Sequence, residues 1–66
     1  MNVLKLRGKI VEKGINVEAL ANSINIDRAT LYRKLNDGER FTIGEALRIK
    51  DALELTAEEA CAIFLE

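Results

Sequence analysis

An all-α domain of five short helices is the fold class this sequence predicts. Five small polar residues, Asn2, Asn16, Asp27, Thr42 and Thr56, each precede a segment whose apolar residues recur at intervals of three and four. Four of them follow an apolar residue (Ile15, Ile26, Phe41, Leu55), and five places after that residue stands Leu20, Leu31, Ala46 or Ala60, the spacing of a hydrophobic staple. Thr42 with Glu45 and Thr56 with Glu59 add the capping-box spacing. With 66 residues, 48% of them hydrophobic, the chain reads as one domain over residues 1–66. It is near the lower size limit for a core without metals or disulfides, so dimerisation would help it.

Composition narrows the function classes. One cysteine cannot close an internal disulfide and no histidine is present for a metal site, so the chain implies no cofactor and a reduced, cytoplasmic setting. Neither a run of about 18 apolar residues nor a basic segment leading into an apolar one is present, which speaks against a membrane span or signal peptide. A net charge of −1 is unlike a simple basic DNA-coating protein. The charges are unevenly placed, however. All ten Lys and Arg lie in residues 1–50 beside six acids, while residues 51–66 hold Asp51, Glu54, Glu58, Glu59 and Glu66 and no base. One end can face a polyanion while the other turns away.

The first helix, over residues 3–13, puts Val3, Leu6 and Ile10 on one stripe with Leu4 and Val11 beside it, and Gly14 stops it. Its row of Lys5, Lys9 and Lys13 is read first as a solvated face, and secondarily as a source of phosphate contact. The second helix, over 17–24, carries Leu20 and Ile24 one turn apart, with Ala21 where a larger side chain would hold the next helix away. Asn25 then takes the positive-φ turn, Ile26 plugs that turn into the core, and Asp27 opens the third helix.

The third helix, over 28–36, divides into faces. Leu31 and Leu35 fall together, while Arg28, Ala29, Tyr32, Arg33 and Asn36 occupy an arc of about 140° opposite. Those residue types suit DNA reading. An Arg fork meets guanine O6 and N7, Ala meets a thymine methyl, and Asn or Tyr bonds base edges or phosphate. For Tyr32, packing on a neighbouring side chain is an equal alternative. Gly38 permits the reversal after this helix and Phe41 anchors the chain again. The fourth helix, over 43–53, buries some of Ile43, Ala46, Leu47, Ile49 and Leu53. The fifth, over 57–65, has Ala57, Ala60, Cys61 and Phe64 on its core stripe, with Ile63 and Leu65 outside it and part of that surface available to a second subunit. On this reading Cys61 is a small core residue.

Ala21, Asn25, Ile26, Leu31 and the polar arc together describe a helix-turn-helix, and here the sequence resembles the lambda-repressor-like family, which includes phage Cro and repressor proteins. The stretch Thr30-Leu31-Tyr32-Arg33-Lys34-Leu35-Asn36, with Phe41-Thr42 and Ala62-Ile63-Phe64, looks like short regulators of phages and prophages of Gram-positive bacteria. The resemblance implies a domain that binds double-stranded operator DNA, commonly as a homodimer on a pseudo-palindrome. By position, Arg28, Ala29 and Arg33 match base-contacting places and Asn36 a backbone-contacting one. Tyr32 joins the base-contacting set, and Asn16, Lys34 and Arg40 the backbone-contacting set. Several positions depart from the family's pattern. Val17 stands where a phosphate-binding Gln is frequent, Asn25 where Gly is usual, and Lys34 where an apolar residue is common; Lys34 is read as laying its stem on the core and sending its ammonium outward. Gly38 also comes one residue later than the family's frequent Asn-Gly.

The second class is a helical protein-interaction module that keeps this fold without reading DNA, supported by the acidic final third. An enzyme has least support, since the carboxylates mostly fall at helix starts or at exposed positions.

Overall fold

The computed structural model describes residues 1–65. Five helices follow in order: α1 (Val3–Glu12), α2 (Val17–Ile24), α3 (Arg28–Asp37), α4 (Ile43–Ala52) and α5 (Ala57–Phe64). Among the described residues there is no strand, and no helix is long and apolar enough to cross a membrane. Glu66, one of the five acids of residues 51–66, lies outside the described residues.

Every helix begins where its cap residue predicts. The Asn2, Asn16, Asp27, Thr42 and Thr56 side chains each accept a hydrogen bond from a first-turn backbone N–H. Glu45 and Glu59 return the bond to the Thr42 and Thr56 N–H groups at 2.8 Å, completing both capping boxes. Helix ends share a construction as well. The Gly14 N–H donates to Val11 O and the Ile15 N–H to Ile10 O; Asn25 and Ile26 repeat the pair on Asn22 and Ala21, and Glu54 and Leu55 on Asp51 and Lys50. Gly14, Asn25 and Glu54 all take positive φ, at 73°, 57° and 52°. These are Schellman closures, each followed by an apolar residue and then the next cap. Such a three-residue connection ends one helix and begins another with few backbone groups left unbonded.

Leu6, Leu20, Ile24, Leu31, Leu35, Ile49, Leu53 and Ile63 are fully buried, and Ile15, Val17, Ile26, Phe41 and Phe64 pack around them. In this arrangement α2 packs on α3 and α4, while α5 packs on α1 and α4. The Arg48 guanidinium reaches the Ile24 carbonyl at 3.1 Å, so α4 also closes the end of α2 just before the Asn25 turn. Phe41 meets Phe64 edge-on at 6.2 Å and anchors the α3–α4 connection against α5.

Leu4 and Val11, beside the α1 stripe, are exposed; of the α4 residues, Ile49 and Leu53 are in the core while Ile43 and Leu47 are exposed. On α5 the expected stripe is rotated: Ile63 is in the core, Ala57 and Cys61 are exposed, and Cys61 is therefore not a core residue. Two turns of helix with apolar residues on every side leave the inner face undetermined. Docking decides it. The Asn2 N–H donates to the Ile63 carbonyl at 2.7 Å, and Lys9 on α1 pairs with Glu59, turning Ile63 inward. The lysine row thereby loses Lys9 as a simple solvated charge, because it bridges Glu12 and Glu59.

Candidate nucleic-acid interface

The surface begins with the turn that sets α3 against α2. Ala21 is buried, so α3 approaches α2 closely, and Asn25 in the left-handed region redirects the chain within three residues. Ile26 packs on the core, fixing the start of α3. Leu31 and Leu35 then hold the inner face of α3, and Arg28, Ala29, Tyr32, Arg33 and Asn36 are all exposed together on the other side. The helix thus has one side spent on packing and one available to a ligand.

Both arginines of this outer arc have carboxylate partners. The Arg28 guanidinium donates to Glu18 on the first turn of α2, which holds it above its ordinary range. The Arg33 guanidinium donates to Glu39 in the α3–α4 connection. That connection, unlike the three-residue ones, carries Glu39 and Arg40 between Gly38 at φ 70° and Phe41, and the added length brings Glu39 back to Arg33.

The predicted backbone-contacting residues are distributed around this arc. The Asn16 side-chain oxygen accepts from the Ala19 N–H at 2.8 Å, so it is committed to capping while its amide nitrogen remains a donor. Asn36, at the far end of the arc, accepts from the Arg7 guanidinium at 2.8 Å. Arg7 is a cation at the edge of this surface that the sequence does not single out, because it lies on α1, 29 residues away. Arg40 is exposed in the widened connection. Lys34 behaves differently from its expected outward reach. Its side chain is only 13% exposed, and its ammonium lies 3.3 Å from Glu45 and from the Arg40 carbonyl and 5.4 Å over the Phe41 ring. Glu45 is held below the usual carboxylate range, first by the Thr42 N–H and also by Lys34. Lys34 therefore ties α3 to α4, in keeping with a cation that finds a carboxylate and an aromatic face on the adjoining element.

Val17 packs against the core, so α2 begins with an apolar residue followed by Glu18, and the amide at this helix start is that of the Asn16 cap. Among the described residues no group of His, Cys, Asp and Glu is arranged to hold a metal. The arc can offer hydrogen-bond donors, a methyl group and an aromatic ring to a polar ligand. Residues 5–64 match the model of a family described as the Cro/C1-type HTH DNA-binding domain. Comparison with curated proteins and with solved structures found no match.

Proposed function

The chain belongs to the Cro/C1-type helix-turn-helix DNA-binding domain family, and from that membership we propose that it is a sequence-specific transcriptional regulator reading double-stranded operator DNA with α3 in the major groove. Arg28, Ala29, Tyr32 and Arg33 contact base edges. Asn16, Asn36 and Arg40 contact the sugar-phosphate backbone, joined by Arg7, while Lys34 is assigned to the α3–α4 joint. The observation that carries this reading is the clean division of α3: Leu31 and Leu35 supply its packing, leaving a five-residue polar arc with no part in the core. Cations on phosphate supply most of the affinity, and the arc selects the sequence.

The regulator acts in the cytoplasm as a phage or prophage Cro-like or repressor-like protein, and it binds as a homodimer. Ile43, Leu47 and Leu65 are exposed around a groove of about 310 Å³ that Phe41 and Phe64 also line. This apolar surface, with the end of α5, is the one assigned to the second copy. Half-sites then lie about one helical turn apart, ~34 Å.

Selection of bound sequences from a random duplex pool, followed by mobility shifts at several salt concentrations, tests the reading. The expected result is an enriched pseudo-palindrome whose binding weakens steeply with salt. Lack of any enriched sequence or shift at low salt would instead support a module that binds only protein.

A further inference from the structure

Glu18 and Glu39 are carboxylates at the edge of a surface proposed to meet a polyanion, and each is paired with an arginine of the outer arc. They come from different places, the first turn of α2 and the widened α3–α4 connection, yet they meet Arg28 and Arg33 respectively. We infer that Glu18 and Glu39 are specificity-determining residues, which restrain the two guanidiniums from arbitrary phosphate and release them to the correct base edge. The inference rests on the DNA-reading function proposed above.

The physical reason is a difference in what replaces each ion pair. All four side chains are 43–63% exposed, so the pairs themselves are weak and exchangeable. Binding to arbitrary duplex draws almost entirely on cations against phosphate. There, an arginine that leaves its glutamate gains one anion and leaves another facing the phosphate chain. At a matching guanine, O6 and N7 receive the guanidinium as a fork, and that base-specific gain offsets the loss of the glutamate. The two acids thus lower non-specific attraction more than they lower attraction to a matching site.

The test uses Glu18→Gln, Glu39→Gln and the double variant, with Glu58→Gln on α5 as a control for the same change in net charge. Gln is isosteric with Glu and both sites are exposed, and the two single variants are independent of one another; circular dichroism establishes that each is folded. Affinity is measured on the site selected by the unaltered protein and on scrambled duplex, across a salt series. Each substitution in the motif should raise affinity for scrambled duplex by about three- to tenfold near ~0.1 M salt and steepen its salt slope by about 0.9, the share of one added phosphate contact. Affinity for the selected site should rise less, so the ratio of the two narrows, while Glu58→Gln leaves that ratio unchanged. Equal gains on both duplexes, the same narrowing in the control, or a loss on the selected site with scrambled duplex unchanged would each overturn the inference. If the unaltered protein selects no site, the DNA-reading function itself fails; if it selects one and the ratio stays constant in the variants, only the role of the two acids fails.

Discussion

Arg33→Ala removes a guanidinium from the outer arc without touching Leu31 or Leu35, so it should leave the fold intact and tests the proposed recognition directly. On the preferred duplex it should cost about 1–3 kcal/mol, the worth of a bidentate guanine contact, and reduce discrimination at one base pair. Competition binding against singly mismatched duplexes measures this; unchanged discrimination would remove Arg33 from base reading. A second residue-scale expectation concerns pH. Glu59 is lowered to about 2, first by the Lys9 ammonium and then by the Thr56 N–H. A folded-state value below the unfolded one means that the carboxylate's contribution is present above the usual carboxylate range and is lost as pH falls towards about 2. Lys9, raised chiefly by the same pair, keeps its contribution below its ordinary 10.5 and loses it above. In Glu59→Gln, whose amide oxygen can still accept from the Thr56 N–H, Tm should depend less on pH between about 4.5 and about 2 than in the unaltered protein. Thermal melts across that interval check it.

At the scale of elements, helix beginnings are under strong local control and helix endings less so. Gly8 lies inside α1, and a Cβ added there would meet nothing within 4 Å. Gly8→Ala should therefore stabilise the domain by about 0.5–1 kcal/mol through reduced backbone freedom in the unfolded chain, measured by urea unfolding. The α4–α5 connection offers the converse case. Glu54 holds φ 52°, a conformation that L-residues with a Cβ enter at a cost of about 1–2 kcal/mol. Glu54→Gly relieves that cost but gives the unfolded chain more freedom, and the net should be a gain of ~0.5 kcal/mol in the same assay. Asn25, in an equivalent turn, is already the residue type that tolerates this region best after glycine.

The whole molecule is held by a small core, and its total stability is expected at roughly 3–10 kcal/mol for this length. Ile63 joins α5 to the rest at that core, 1% exposed. Ile63→Ala should cost about 2–5 kcal/mol, enough to unfold much of the population near physiological temperature. DNA binding should then fall although Ile63 is on a helix remote from the arc. Measuring Tm and binding together checks this, and loss of binding with Tm unchanged would assign α5 a direct part in the interface.

The helix starts, the Asn25 turn and the two faces of α3 were legible in the sequence because each depends on short-range chemistry. A cap side chain bonds within three residues, a left-handed turn favours glycine or asparagine, and a helix of ten residues with two leucines four apart has one apolar side. The inner face of α5 was not legible. Its apolar residues surround the axis, and only docking against α1 turns Ile63 inward and leaves Cys61 exposed. The same holds for charges separated along the chain. Sequence marks Arg28, Arg33 and Lys34 as cations on α3, but which carboxylate each meets depends on how α2, α4 and the widened connection pack beside it. Local hydrogen bonding therefore determined the elements and the surface they offer, whereas tertiary packing decided which charges on that surface are paired and which apolar face is left uncovered.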